Sequence, residues 1–295
     1  MRSRGICFLC FLALTLLAPS AYATPILGTN LSTFAILGGA GVAINGTGSL
    51  ITGSVGGCCS ATAVTGVIPT NFTISGGTVQ MGGGTATSAQ GELTIAMNAL
   101  SGMTPTLTVS SLGGLTLAPG VYSSSSTMDL TGTLTLNGGG NANALWVFIV
   151  GSALSTAGSS VVNVINAGAG AGVYWVLPTG SGSATLGSNS TFAGNILANQ
   201  SITLGTAVSI PCGRLLTQVA AVTLTGTDTV GGACSGSLAG SSGLSGGGTI
   251  IGGTVTPLPP STVPPAAVPE PSTLIFLATG LIGGVVRMRQ VMGRK

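Results

Sequence analysis

Threonine side chains recur at a fixed spacing in the second half of the chain. Residues 183–200 and 201–218 align without a gap at a spacing of 18, which places Thr185 on Thr203. The register continues more loosely to Thr223. Each threonine stands between two aliphatic residues, so alternation along a strand turns the aliphatic side chains inward and the threonine outward. The series predicts a column of hydroxyl and methyl groups on one exposed surface.

Groups that could perform acid–base or metal chemistry are few. Between the two charged ends of the chain, Arg214 is the only base and Glu92, Asp129 and Asp228 are the only acids, and the chain has no histidine. Solenoid enzymes that cleave polysaccharides need clustered carboxylates, bases or a bound cation. We therefore expect no enzymatic activity, no cofactor and no metal site. The central region also has no basic patch that could bind nucleic acid.

The length of the repeat predicts the fold class. A repeat of about 18 residues is too short for a helical hairpin and fits one three-sided turn of a β-solenoid, whose strands stack about 4.8 Å apart. Short runs broken by glycine, such as Phe34–Leu37 and Val42–Ile44, fit the same architecture. The same alternation at Thr135 and Thr116 predicts that both extend the threonine column backwards. With 51 glycines and 44% hydrophobic residues, the chain can supply tight corners and a core.

One segment has helical rather than strand periodicity. The pattern predicts a helix over residues 88–101, with a capping box formed by Thr87 and Gln90 and an end at Gly102. A helix this short needs a surface to pack against. The apolar stripe consists of Ala89, Leu93, Ala96, Met97 and Leu100.

The predicted partner of this helix is an outward-facing side of the solenoid. If Arg214 points outward, then Leu216 does too, and the 18-residue alignment gives Ile196 and Ala198 the same orientation. An exposed aliphatic surface needs a cover, and the helix can provide it. We also expect Glu92 on the helix to pair with Arg214. The run 145–150, which is apolar on both sides, should lie beneath other structure.

The N-terminus has the features of a secretory signal peptide, predicted to span residues 1–23. A charged start and a short apolar run precede Ala23, so we expect cleavage between Ala23 and Thr24. A retained membrane anchor is the alternative, but the run is too short to span a bilayer. The exported chain then keeps four cysteines, which allow three disulfide connectivities. Cys212 and Cys234 are candidates for one disulfide because they lie about one turn apart, whereas the sequence assigns no partner to the adjacent residues Cys58 and Cys59.

The C-terminal region changes character after the solenoid. Residues 236–268 read as a flexible Gly- and Ser-rich linker followed by a Pro-rich one. Pro269, Glu270 and Pro271 then precede an apolar run that is predicted to be helical, and residues 269–295 end in a basic tail. This order resembles a PEP-CTERM sorting signal. The resemblance implies transient anchoring in the inner membrane, recognition and cleavage by an exosortase, and delivery to the cell surface or exterior. A permanent tail anchor is the alternative.

An ordered series of segments carries a second resemblance. The runs LSTFAILGG, TAVTG, SAQGELTIAMNAL, LGGLTLAPGVYSSS, ATLGSNSTFAGNILA and GRLLTQVAAVTL follow one another between about Ile26 and Val230. In this order they resemble the bacterial and fungal ice-binding-protein-like family. The resemblance implies a mostly β, right-handed, discontinuous three-faced β-solenoid over residues 24–235, with the helix lying alongside.

The resemblance also implies a partner. Characterised members bind ice through a flat face rich in Thr, Ser and Ala, so we expect this protein to adsorb to an ice surface. The alternative is a structural or adhesive protein of the extracellular matrix that binds polysaccharide and has no ice activity. The residues expected to form the ice-binding face are Thr116, Thr135, Thr185, Thr203 and Thr223.

Overall fold

Successive turns of the chain stack their strands in parallel and form a coil with three sides. The computed structural model describes residues 23–58, 63–66, 71–231 and 234–262. The predicted β-solenoid is confirmed. Face 1 is a sheet of seven strands. In spatial order, its strands are Met128–Leu130, Ala153–Thr156, Ser183–Leu186, Ile202–Leu204, Ala221–Leu224, Gly41–Ile44 and Val64–Thr65.

Faces 2 and 3 are two branches of one larger sheet, because two long strands, Thr191–Ala198 and Ser209–Thr217, cross the corner between them. The first part of each long strand belongs to face 2 and the second part to face 3. The other strands of face 2 are Thr116–Leu117, Thr133–Asn137, Val161–Ile165, Thr229–Gly231, Ser49–Thr52 and Phe72–Ser75. The other strands of face 3 are Leu107–Thr108, Gly120–Ser124, Leu145–Val150, Gly172–Leu177, Phe34–Gly38, Ser54–Gly57 and Val79–Met81.

The coil is discontinuous along the chain, as the family resemblance implies. On face 1 the N-terminal strand Gly41–Ile44 pairs with the C-terminal strand Ala221–Leu224. On face 2, Thr229–Gly231 pairs with Ser49–Thr52. One turn of the coil, here called the composite coil, therefore takes its strands from both parts of the chain. It consists of Thr229–Gly231 on face 2, Phe34–Gly38 on face 3 and Gly41–Ile44 on face 1.

A long helix returns the chain from one end of the stack to the other. It spans Gly84–Ser101 and ends at Gly102. The helix begins before the predicted residue 88, and the expected capping box is absent because Thr87 lies inside the first turn, where its hydroxyl donates to the Gly83 carbonyl. All five residues of the predicted apolar stripe are buried, and Ala86 and Ala99 join them.

Face 3 is apolar on both of its sides. In the strand Leu145–Val150, Val147 packs in the cluster that contains the helix, whereas Trp146 and Phe148 belong to the core inside the coil. The Phe148 ring stacks on Trp175 of the next turn with 3.9 Å between ring centroids. The expectation that this strand lies beneath other structure is confirmed, and the helix is the element that covers it.

A register shift changes which residues of face 3 meet the helix. Thr191 pairs with Ser209 at the predicted spacing, but Ala193 pairs with Cys212, so one extra residue enters the second strand. Pro211 lies at this irregularity, where its missing N–H does not break the ladder. Leu197 therefore lies opposite Leu216 rather than Leu215.

The orientation predicted for Ile196 and Ala198 is consequently wrong. Both point into the interior of the coil, and Leu197 packs in the helix cluster instead. Leu216 contacts the helix cluster as expected. A one-residue shift inverts the side of every following side chain.

The expected pairing of Glu92 with Arg214 is not formed. The Glu92 carboxylate accepts hydrogen bonds from the backbone N–H groups of Asn30 at 2.9 Å and Leu31 at 2.7 Å. It thereby satisfies the start of the short 3-10 turn Leu31–Thr33. The Arg214 guanidinium donates instead to the Ser32 carbonyl at 2.8 Å. Both side chains hold the same N-terminal turn from different sides.

The structure differs from the expected flexible linker over residues 236–262. We call residues 234–262 the C-terminal strap, because they pack against the body and bury Ser241 and Leu244. The strap contains the antiparallel strands Gly248–Ile251 and Thr254–Pro257, and the first of these pairs with Thr24–Pro25 at the N-terminus. Glycine lets the strap lie close to the body because it has no side chain to hold the two backbones apart.

Candidate functional site

Face 1 brings three of the predicted site residues into one column. Thr185 pairs with Thr203, and Thr203 pairs with Thr223, on adjacent strands. Ser155 precedes them in the same column and Ala43 follows. From one end of the face to the other, the column reads Asp129, Ser155, Thr185, Thr203, Thr223, Ala43 and Thr65.

Alternation along each strand determines which side chains this column presents. The neighbours of Thr203 in sequence, Ile202 and Leu204, are fully buried inside the coil. Val222 and Leu224 flank Thr223 in the same way. The aliphatic side chains therefore fix the strand in the core and leave each threonine on the outer side.

The column beside the threonines consists of small residues. It lies two residues earlier along the chain at each level of the face, and after Thr127 at the outer end none of its members has more than one heavy atom beyond Cβ. Long side chains are thus absent from these two central columns of face 1, and stacked coils suppress the twist that would otherwise curve the surface. The members of this second column are Thr127, Ala153, Ser183, Ser201, Ala221, Gly41 and Ala63.

The hydroxyl groups of the threonine column are not engaged by the protein. Within the part of the chain that the structure describes, the side chains of Ser155, Thr185, Thr203 and Thr223 make no hydrogen bond. Their positions are at most partly buried. Four unengaged hydroxyls on consecutive strands, about 4.8 Å apart, are available to bind water.

Thr116 and Thr135 do not belong to this column. They pair with one another on face 2, and Thr135 pairs onward with Asn163. The prediction that the five threonines form one column is therefore wrong. Strands on more than one face have the same alternation of aliphatic and threonine residues. The sequence pattern alone therefore does not identify the face on which a threonine lies.

Face 2 has a more mixed surface than face 1. One of its outward columns contains threonines, but Val161 and Leu50 interrupt it, and Leu50 is 44% exposed. Aliphatic side chains therefore break the hydroxyl series on both sides of its central run, which consists of Thr191, Ser209 and Thr229. Its members are Thr133, Val161, Thr191, Ser209, Thr229, Leu50 and Thr73.

Charged groups are kept away from the centre of face 1. Among the described residues, Asp129 is the one exposed charged side chain, and it lies on the outermost strand of the face. Arg214 and Asp228 are buried. Burial lowers the pKa of the Arg214 guanidinium, although the nearby Tyr174 opposes this shift. Burial also raises the pKa of the Asp228 carboxyl, although backbone hydrogen bonds oppose the rise.

The remaining groups that could perform chemistry have structural positions. Within residues 23–58, 63–66, 71–231 and 234–262, no group of three or more His, Cys, Asp or Glu residues could hold a metal ion. Cys212 and Cys234 form a disulfide with 5.0 Å between their Cα atoms. Cys58 is also disulfide-bonded.

Several predicted features lie outside the described residues, in whole or in part. They are the signal peptide up to residue 22, Cys59, the motif Pro269, Glu270 and Pro271, and the apolar run after it. No helix among the described residues is both long and apolar enough to cross a membrane. On the other side of the predicted cleavage site, Thr24 is described and pairs with Ile250.

Two family models match the chain. The model described as ice-binding-like matches residues 36–230, and the model of the PEP-CTERM protein-sorting motif matches residues 267–290. The chain is also 44% identical over 205 residues to an ice-binding protein from Nostoc sp. (strain HG1), a match that covers 69% of this chain and 72% of that protein.

Solved structures show the same likeness. An ice-binding protein from the Antarctic ascomycete Antarctomyces psychrotrophicus superposes with a TM-score of 0.64 at 31% identity, covering 72% of this chain and all of that one. A domain of an ice-binding protein from Shewanella frigidimarina superposes with a TM-score of 0.63 at 25% identity, covering 73% of this chain and all of that one.

Proposed function

The chain belongs to the ice-binding-like family, and from this membership we propose that its body binds ice through face 1. The observation that carries the proposal is the column of unengaged hydroxyls on consecutive strands, formed by Ser155, Thr185, Thr203 and Thr223. The named relatives are ice-binding proteins, and the two with solved structures share this fold.

The chemistry of the column suits an ordered water surface. Each threonine presents a hydroxyl that can donate and accept a hydrogen bond, and a methyl that water must surround. Repeated at about 4.8 Å on a flat sheet, these groups hold neighbouring waters in a regular layer that can merge with a crystal surface. A charged side chain would orient water around itself and disturb the layer. Asp129, the one exposed charged side chain in the part of the chain that the structure describes, lies at the edge of the face.

The sorting motif supports a location for this activity. We propose that the chain is exported after cleavage between Ala23 and Thr24. An exosortase would then process it near Pro269, Glu270 and Pro271, while the C-terminal segment anchors it transiently in the inner membrane. The match of the PEP-CTERM model to residues 267–290 supports export and sorting to the cell surface.

Thr203→Tyr tests whether face 1 is the binding surface. Thr203 lies at the centre of the column, so a tyrosine there would project from the face and hold ice away from the neighbouring threonines. In protein carrying residues 24–262, we expect the concentration needed to inhibit ice recrystallisation to rise at least about tenfold, which corresponds to about 1.4 kcal/mol. Thermal hysteresis should fall in parallel.

Thr191→Tyr is the matched control, because Thr191 is an exposed threonine on face 2. It should leave ice activity unchanged, and both variants should melt close to the parent protein. Equal losses in the two variants, or a loss in Thr191→Tyr alone, would contradict the assignment to face 1. A parent protein with no ice activity would instead favour the matrix-adhesion alternative.

A further inference from the structure

The C-terminal strap follows one corner of the coil, the corner between faces 2 and 3. Its start is fixed by the disulfide from Cys234 to Cys212. Next along the strap, the Leu244 carbonyl accepts a hydrogen bond from the Asn195 side chain at 2.8 Å. Cys212 and Asn195 lie in the two long strands that cross this corner. The upper part of the strap is therefore held to the corner covalently and by a buried side chain.

The strap continues down the corner, one turn of the coil after another. The Tyr174 hydroxyl donates to the carbonyls of Ser245 and Gly246 in the next turn. The Gly246 N–H then donates to the Ala171 carbonyl at 3.1 Å. Burial raises the pKa of the Tyr174 phenol above its ordinary value of 10.0, so the hydroxyl keeps its proton, and remains a donor, into the alkaline range.

The lower end of the strap reaches the turn that follows Asn137. The Asn143 side chain donates to the Pro259 carbonyl at 2.9 Å, and the Ser261 N–H donates to the Asn141 side chain at 3.0 Å. Asn141 also forms an antiparallel bridge with Thr262. The described chain thus leaves the body at residues 141–143.

This exit point lies on the far side of the molecule from face 1. Residues 141–143 connect Thr133–Asn137 of face 2 with Leu145–Val150 of face 3. In a coil of three sides, the corner shared by two faces is opposite the third. The third face of this turn is the strand Ala153–Thr156, which belongs to face 1.

The strap also shortens the connection to the sorting motif. From Thr262 to Pro269 there are seven chain steps, which span at most about 25 Å when fully extended. A free linker over residues 236–268 would reach about 115 Å by the same measure. The shorter connection limits how far the body can rotate relative to the point of attachment.

We propose that the strap fixes the attachment point at the corner opposite face 1, so that a copy retained at the cell surface holds face 1 outward and attaches the cell to ice. The partner on the outer side is an ice surface, and the partner on the strap side is the cell envelope. This inference rests on the proposed function of face 1. It adds that the protein acts as a cell-to-ice adhesin whose orientation is determined by residues 234–262.

The test compares two points of attachment on the same protein. Chains of residues 24–268 are coupled to beads either through a C-terminal biotin or through a biotin on Ala157→Cys, each with the same short spacer. Ala157 is exposed and follows the face 1 strand Ala153–Thr156. Beads coupled at the C-terminus should be retained on an ice surface at least about tenfold more than beads coupled at residue 157.

A third variant tests the role of the short connection. An Ala157→Cys chain attached through a flexible Gly/Ser spacer of about 30 residues can reach roughly 30 Å on average and reorient, so its beads should regain ice retention. Recovery would show that orientation, and not damage from the substitution, caused the loss.

Ice recrystallisation assays on unattached protein separate a failure of the proposed function from a failure of the inference about orientation. If neither unattached protein inhibits ice recrystallisation, the proposed function itself fails. If both are active in solution but the two short attachments retain beads equally well, face 1 is still an ice-binding surface and the inference about orientation is overturned.

Discussion

Asp228 is a buried acid whose hydrogen bonds join the N-terminal and C-terminal parts of the solenoid. Its carboxylate accepts the Val208 N–H at 2.9 Å, and its own N–H donates to the Ser49 hydroxyl at 3.1 Å. The residue therefore connects the C-terminal coils to an N-terminal one. Because burial raises the pKa of this carboxyl above its ordinary value of 3.8, the native state holds its proton more tightly than the unfolded state does.

The sign of the resulting pH dependence follows from proton binding. Between the ordinary pKa of 3.8 and the raised native pKa, the native state binds more protons than the unfolded state, so the contribution of Asp228 to stability falls as pH rises through that window. Denaturant unfolding from pH 3 to pH 7 should show this loss in the parent protein and not in Asp228→Asn. Asp129→Asn, which alters an exposed carboxylate, should keep the parent slope. Parallel pH profiles for the parent and Asp228→Asn would contradict the assignment.

Residue types alone did not reveal the partners of Glu92 and Arg214. Glu92 and Arg214 are the one acid on the helix and the one base of the body, so an ion pair was the simplest expectation. Both bind backbone groups of residues 30–32 instead. Backbone N–H and C=O groups must be satisfied in any sequence, so a charged side chain has partners that composition does not show.

The helix depends on face 3 for its stability. It has 18 residues, and most of the stability of a helix in a protein comes from the packing of its apolar face rather than from intrinsic helix propensity. Its alanine-rich stripe lets the helix approach the sheet closely, and Leu93, Met97 and Leu100 fill the space between them. The helix therefore gains stability from burial against a sheet that is itself apolar on its outer side.

Leu93→Ala tests this dependence. Leu93 is fully buried, so the substitution should lower the free energy of unfolding by about 3 kcal/mol, as expected for a buried leucine that leaves a cavity. Ile95→Ala is the matched control on the same helix, because Ile95 is 55% exposed, and it should change stability by less than about 1 kcal/mol. The measurement is urea unfolding followed by circular dichroism. Similar losses in both variants would show that the helix is not anchored through its predicted stripe.

At the scale of the whole molecule, order in space differs from order along the chain. The composite coil places N-terminal strands on top of C-terminal ones. Because each turn contacts mainly the turns above and below it, the position of the chain ends matters less than the stacking of neighbours. The pairing of Thr24–Pro25 with the strap brings the two ends of the described body together.

A circular permutant tests this view. Joining Pro257 to Thr24 with a short Gly/Ser linker and opening the chain between Gly83 and Gly84 preserves every strand of the stack. Both glycines have open space around them, and the sheet that contains Thr24 also contains Pro257. The permutant should melt in one cooperative transition, and its free energy of unfolding should fall by only about 1–2 kcal/mol.

A permutant opened between Thr203 and Leu204 is the control. It should unfold or aggregate, because the break falls inside a central strand of face 1. If the first permutant failed to fold, the view that the strands stack in the same way whatever their order along the chain would be contradicted.

The sequence determined the strands, the helix and the period of the coil. Alternating aliphatic residues must bury one side of a strand, and the stripe at helical spacing must bury one side of a helix, so these features follow from local pattern. The disulfide candidates also followed from one-turn spacing, and Cys212 and Cys234 are bonded in the structure. The series Thr185, Thr203 and Thr223 lies within adjoining repeats, where counting along the chain keeps the strands in order.

Only the tertiary structure decided which threonines share a face, which side chains meet the helix and where the chain leaves the body. Thr116 and Thr135 have the correct alternation but lie on face 2, because alternation specifies inside and outside and not one of three sides. The bulge at Pro211 inverted the sides of Ile196 and Leu197, because one extra residue shifts the register of everything after it. The strap packs although its composition is that of a linker, because the corner of the coil supplies backbone and side-chain partners that the segment does not contain in its own sequence.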